Sequence, residues 1–242
     1  MKFTKIPSDT FQKLALNAGL ILTAFDPSAS AAVDRTKILG ATSGGVTVTA
    51  VPSFVDFGED VDNCAKNTKE MKRITAYDIT MSGTFVTVDD KVAAALIGAC
   101  DKTVTVGAAT TDTDIVAGKT YYTRTGSGTT QSPYVYTAVA SPVKAQLSSY
   151  YEAVEVKIVP RHALSADDFA DIWFVGDYSD KNADTTGGFV ACKIKSALST
   201  GGWSFVSADE EKGKFAFEFK AHYSISSPDA VPFELYVHTG TV

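Results

Sequence analysis

KFAFEFKAHYS, Lys214 to Ser224, alternates apolar and polar side chains over eleven residues. Phe215, Phe217, Phe219, Ala221 and Tyr223 fall on one face, and Lys214, Glu218, Lys220, His222 and Ser224 on the other. A period of two is the mark of an antiparallel strand with one buried and one wet face. At about 3.3 Å per residue such a strand runs roughly 35 Å, so it demands partners of similar length and an extended sheet.

The nearest partner in pattern is Arg73 to Val88. Tyr77, Ile79, Met81 and Phe85 share a face with Gly83, while Asp78, Thr80, Ser82 and Thr84 line the other. Thr36 to Pro52 is a further strand, interrupted where Gly40, Gly44 and Gly45 permit a turn or bulge. Between these two, Ser53 to Lys72 loses the alternation and mixes acids, bases and glycine. A loop of that length is usually functional or disordered.

Working outward, Asp89 and Asp90 stand where a helix cap is needed before KVAAALIGAC, which turns Val92, Ala95, Leu96 and Ala99 inward. Ser165 caps a second short helix, SADDFADIW, in which Phe169, Ile172 and Trp173 anchor the element to the core and the acids suit the positive helix end. Val154 to Val159, Phe189 to Ile194, Trp203 to Val206 and Phe233 to Val237 supply further strands. Residues 1–30 admit a short helix capped at Ser8 or Asp9 with Phe11, Leu14 and Leu16 inward, or an extended arm that packs on a neighbouring molecule. Thr103 to Gln146 is rich in threonine, glycine, alanine and serine and carries paired tyrosines. It has the composition of a small β insertion within a single domain spanning the chain. The fold expected is mainly β, an antiparallel sandwich or barrel-like sheet with one or two short flanking α-helices.

Composition narrows the chemistry. The net charge of -6 opposes an outer surface that grips nucleic acid, which would be basic. Cys64, Cys100 and Cys192 show no paired spacing, so neither a disulfide framework nor a zinc site is expected and a reducing compartment is. No cleavable leader and no apolar run of about 18 residues occurs, so the expectation is a soluble chain made in a cytoplasm, without membrane contact. His162, His222 and His238 lie in no metal-ligand spacing, and no phosphate-binding loop, dinucleotide fingerprint or nucleophile elbow is present. Asp167, Asp168 and Asp171 suit a helix start, and Glu59, Asp60 and Asp62 lack the ordered spacing of a calcium loop. The expectation is a protein without catalysis or cofactor. Tyr121, Tyr122, Tyr134 and Tyr136 admit two readings, a stacking platform for carbohydrate or the core of their own hairpin.

Several phrases together resemble a known family. NAGLILTAFDP (Asn17 to Pro27), VTAVPSFVDFGEDVDN (Val48 to Asn63), KVAAALIGACD, VPRHALSADDFADIWFVGDYSD, GFVACKIKSALSTGGWSF and KFAFEFKAHYS, with a terminal PFELYV, are similar to the major tail protein of long-tailed, non-contractile bacteriophages. DDFADIWFVGDYS is the most specific of them, and the resemblance covers nearly all of the chain except Thr103 to Gln146. It implies a structural virion subunit that forms six-membered rings, stacked into a hollow tube through which DNA is ejected, with the sheets of neighbours joined into one lumen barrel. It further implies that the loop 53–72, with Phe54, Asp56, Phe57, Glu59, Asp60, Asp62, Lys69 and Glu70, reaches the adjacent ring. Asp78, Thr80, Ser82, Thr84, Lys214, Glu218 and Lys220 then become lumen or subunit-seam positions. The implied partners are further copies of the chain, a tape measure protein, terminator and initiator proteins, and phage DNA passing without sequence-specific contact. The implied location is the virion tail, assembled in the bacterial cytoplasm. A contractile-tail tube subunit and a carbohydrate-binding adhesion module are the alternatives.

Overall fold

Two sheets account for the strands of this mainly β chain. The computed structural model describes residues 19–28, 33–58, 61–116, 119–139, 141–177, 188–207, 209 and 211–238. The helix or arm expected before Gly19 and most of the polar loop after Asp177 lie outside them. The elements in chain order are β1 (Leu20–Leu22), β2 (Ile38–Gly40), β3 (Thr42–Asp56), β4 (Lys72–Phe85), α1 (Asp90–Ile97), β5 (Cys100–Ala109), β6 (Tyr121–Thr125), β7 (Val135–Ala138), β8 (Tyr151–Pro160), β9 (Ala170–Asp177), β10 (Phe189–Ser199), β11 (Phe205–Val206), β12 (Lys214–Lys220) and β13 (Phe233–His238). They divide between two compact units, Met1–Gly98 with Ala163–Val242, and Ala99–His162.

In the first unit the strand order is β2-β1-β9-β10-β12-β4-β3, with β13 on β10 and β11 on β12. The core follows from alternation. Phe215, Phe217 and Phe219 of β12 are buried, together with Ile79, Met81 and Phe85 of β4, and with Ile21, Leu39, Ile172 and Ile194 from the other half of the sheet. α1 covers this face with Val92 and Leu96. Its cap is Asp89, whose carboxylate accepts from the Val92 amide at 2.8 Å. It ends at Gly98, so Ala99 does not belong to its buried side. A second cluster, Leu22, Trp173, Val175 and Ala191, occupies the opposite face of β1, β9 and β10. Those strands are therefore buried on both faces.

β10 changes partner along its length. Phe189 to Ile194 pair with β9 and β13, and Leu198 and Ser199 pair with β12. The switch falls at a bulge between Ile194 and Ala197, where Ser196 adopts a positive φ of 48°. Its amide bonds the Asp171 carboxylate at 3.1 Å. The extra residue keeps Ile194 and Ala197 in the same core despite their odd spacing.

Other expectations change too. The opening strand ends at Lys220 rather than Ser224. Ala221 still donates to the Ile79 carbonyl, but Tyr223 leaves the ladder and uses its hydroxyl to accept from the Tyr77 amide at 2.8 Å. SADDFADIW is not a helix. A single 3₁₀ turn, Ala166–Asp168, is closed by a Ser165/Asp168 capping box, and Ala170 onward is strand because both faces of that run are buried. Ile172 enters one core and Trp173 the other, while Phe169 is half-buried with its ring 5.2 Å from that of His222. The loop expected at 53–72 is shorter, because β3 runs to Asp56 and β4 begins at Lys72.

The second unit contains the four-stranded sheet β5-β8-β6-β7. Its boundaries are wider than the insertion expected at 103–146, because the strand at Val154–Val159 pairs with β5. Tyr121, Leu147 and Tyr150 form its small core. Entry and exit lie side by side, with Cys100 opposite Pro160 and the Arg161 amide on the Ala99 carbonyl at 3.1 Å.

Two predictions follow from this packing. Phe217→Ala removes a ring that is 3% exposed and lies 4.4 Å from that of Phe85. It should lower stability by about 3–5 kcal/mol in urea denaturation. Excision of Ala99–His162, joining Gly98 to Ala163 by a short glycine-serine linker, should leave a cooperative unfolding transition in the remaining chain. Loss of that transition would show that the first unit cannot fold without the second.

Candidate assembly surface

Pairing of β12 with β4, and of β4 with β3, places mostly polar side chains on the face opposite the phenylalanine row. Ala216, Glu218 and Lys220 stand opposite Thr84, Ser82 and Thr80. Thr47, Thr49, Val51 and Ser53 stand opposite Ser82, Thr80, Asp78 and Ala76. The expected positions Asp78, Thr80, Ser82, Thr84, Glu218 and Lys220 are thus brought together on one polar wall. Lys214 shares the face of β12 but lies at its far end opposite Val206, with its ammonium 3.5 Å from Glu211.

The wall is held by short polar contacts. Thr49 and Thr80 hydroxyls are 2.6 Å apart, the Lys220 ammonium is 2.7 Å from Asp78, and Thr200 donates to Glu218 at 2.7 Å. Each ion pair is exposed and contributes little, about 0–1 kcal/mol. What they do is tie the charged side chains down among hydroxyls.

β3 has 15 residues and lies at the end of the sheet order, so its outer edge meets no strand among the described residues. An unpaired edge of that length is a template for another strand. Because β12 ends at Lys220, opposite Thr80, the outer part of the β3–β4 hairpin is a two-stranded ribbon. A ribbon of this kind is marginal by itself in water.

Among the described residues, nothing covers the apolar side chains at the end of this ribbon. Phe54 and Ile74 form a cross-strand pair, 52% and 48% exposed, and Phe57 is 57% exposed. Val55, Val61 and Met71 are also exposed. Lys72 lies 5.0 Å above the Phe54 ring and Arg73 5.8 Å from that of Phe57. Among the positions expected to make contacts, Asp56 is an internal brace, since its carboxylate accepts from the Gly58 and Asn67 amides at 2.9 and 3.0 Å. Asp62 is exposed, and Lys69 and Glu70 form an exposed pair at 3.4 Å. Glu59 and Asp60 lie outside the described residues. Ile74, Met71 and Val61 were missed, although apolar residues inside a charged stretch were a visible signal.

The second unit has its own polar cluster. Lys119 bridges Asp112 at 2.7 Å and Glu152 at 2.8 Å, and Tyr121 donates to Asp112 at 2.7 Å. The Lys119 and Tyr121 hydrogen bonds hold Asp112 below the usual carboxylate range, those from Lys119 and Thr110 do the same for Glu152, and the two carboxylates raise Lys119. Tyr121 is buried here and Tyr122 nearly so, so neither belongs to an exposed platform.

Among the described residues there is no group of three or more metal-ligating side chains, and no helix is long and apolar enough to cross a membrane. Compared with family models and with characterised proteins, the chain gives no match.

The cluster predicts a pH dependence. Asp112 and Glu152 bind protons less readily when folded, so their stabilisation is present above the unfolded carboxylate range of about 4 and is lost as pH falls through their lowered values. Lys119 stabilises below its unfolded value of about 10.4 and ceases to do so only in stronger base. The protection of β6 and β8 amides, taken relative to their intrinsic exchange rate at each pH, should therefore fall at acid pH, and Lys119→Met should flatten that acid limb.

Proposed function

We propose that the chain is a self-assembling structural subunit, the tail tube protein of a long-tailed bacteriophage, with a sandwich-like tube fold. The observation that carries this reading is the β3–β4 hairpin. A long strand whose edge is unpaired and whose apolar tip is uncovered among the described residues has its backbone valence and its apolar surface satisfied by further copies of the same chain. The tip and the edge are unlike surfaces, so the contacts are heterologous and repeat head to tail, which gives rings where the rotation closes and filaments where it does not. In this assembly the edge of β3 joins neighbouring sheets within a six-membered ring, and the tip, with Phe54 and Phe57, reaches the next ring.

The polar wall then lines the lumen. Its charged groups are paired and its remaining surface is largely hydroxyl. DNA meets no row of free lysines or arginines there, and therefore no release of counterions that would hold it in place. The partners in this reading are further copies, a tape measure protein, terminator and initiator proteins, and transiting DNA, in a virion tail assembled in the bacterial cytoplasm.

Electron microscopy across a concentration series tests it. Rings or tubes are expected, and monomers at every concentration, including in the presence of preformed tail tips, would overturn the reading. Replacing residues 57–70 by a two-residue turn should leave a folded subunit that no longer stacks into long tubes. Persistent long tubes would remove the tip from the axial contact.

A further inference from the structure

The four-stranded sheet of the second unit carries tyrosines on both faces, and the two sets differ. On one face Tyr121 and Tyr150 are buried with Leu147. Their hydroxyls are spent within the protein, Tyr121 donating to Asp112 at 2.7 Å and Tyr150 to Gln146 at 3.1 Å. These are core tyrosines. On the other face the register sets Arg124 opposite Tyr136 and Tyr122 opposite Tyr151. There the Arg124 guanidinium carbon lies 4.4 Å from the ring centroid of Tyr134 and 4.5 Å from that of Tyr151. Tyr136 meets the Tyr151 ring edge to face at 5.8 Å and stands 6.5 Å from Tyr134.

Among the described residues Arg124 has no carboxylate within bridging distance, and the hydroxyls of Tyr134, Tyr136 and Tyr151 have no protein partner. Arg124 is exposed and Tyr134 is 46% exposed. The arrangement is nonetheless fixed. A Cβ at Gly128 would lie 2.6 Å from Tyr134 Cε2, so the Tyr134 ring rests on the glycine of its own turn. A guanidinium laid on aromatic rings keeps one orientation, and its fork of donors fits a carboxylate with two parallel bonds. The tyrosines add apolar ring surface, on which the C–H face of a sugar packs, and hydroxyls that bond to sugar oxygens.

The occupant follows from the charge. A phosphate dianion calls for more than one cation, but Lys119, the cation nearest in sequence, is committed to Asp112 and Glu152. One guanidinium among rings suits a single carboxylate attached to a pyranose. We propose that Arg124, Tyr134, Tyr136 and Tyr151 form a binding site for a carboxylated saccharide of the uronic or sialic acid class. This site is independent of the assembly reading and stands or falls without it.

The test is a titration of the full-length chain, followed by calorimetry and by the tyrosine resonances, with a sialylated trisaccharide and a galacturonic acid oligomer. Lactose, acetate and inorganic phosphate are the comparison ligands. One or both acidic saccharides should bind saturably, with a Kd of about 1 mM or tighter, and at least about tenfold more tightly than lactose, acetate or phosphate alone. Arg124→Lys keeps the charge but loses the fork and should weaken binding about tenfold, as should Tyr134→Ala. The absence of saturable binding by either acidic saccharide in the unaltered chain would overturn the site, and that result needs no variant. Equal binding of acetate or phosphate would overturn it as a saccharide site. Unchanged affinity in Arg124→Lys, with Tyr121 and Leu147 resonances in place, would also overturn it.

Discussion

Phe217 lies across Gly83, and this contact fixes the register of the strands around it. A Cβ on residue 83 would come within 2.8 Å of the Phe217 ring, so only a glycine fits under the ring when β12 and β4 are aligned as they are. A slip of one residue would set Ser82 or Thr84 beneath it and turn Phe215, Phe217 and Phe219 into water. The register of β4 on β12 carries over to β3 through the ladder from Val46 to Asp56. It decides which face bears the threonines and serines, and how far the β3–β4 hairpin overhangs the last residue of β12. Wall, edge and tip all descend from one aromatic-on-glycine contact.

The other half of the sheet is organised by β10. Its bulge at Ser196 lets one edge serve two partners, β13 before it and β12 after it, while β9 pairs along the other edge on both sides. A non-glycine residue at positive φ is uncommon and must be held by its surroundings. Here the Asp171 carboxylate takes the Ser196 amide, and the His222 ring is 3.1 Å from the Ser196 carbonyl. Asp171 also meets the Lys193 ammonium at 2.8 Å. A carboxylate that looked in sequence like a helix-start preference is the brace of the junction.

Period-two alternation made β12, β4 and the inner part of β3 legible, because each has one wet face. It failed where both faces are buried. In Ala170–Asp177 the run Ile172, Trp173, Phe174, Val175 shows no alternation, and the acids before it imitate a helix start. The outer part of β3 and β4 was lost for the opposite reason, since neither face is buried and charged and apolar residues mix freely. Polar-wall positions were recoverable by parity from the strands alone. Arg124 and Tyr151 were not, because their meeting depends on the pairing of β6 with β8, which runs only through Tyr121 and Tyr122 and skips over β7 in the sequence.

In the tube reading, the local chemistry of the wall matters more than the net charge of the chain. A lumen lined by free acids would repel DNA, but its field would reach only about 10 Å at ordinary ionic strength and would set neighbouring subunits against one another across the ring. A lumen of free lysines would trap DNA. Pairing Lys220 with Asp78 across adjacent strands, and bonding Glu218 to Thr200, cancels or occupies the charges on a length scale of a few ångströms. What remains is a hydroxylated surface that already hydrogen-bonds to itself, as between Thr49 and Thr80. It offers a moving polyanion neither a well nor a barrier. In that reading the same self-satisfaction keeps the wall wet, while the exposed apolar side chains of the hairpin tip, Phe54, Phe57 and Ile74, would be the part that another copy covers.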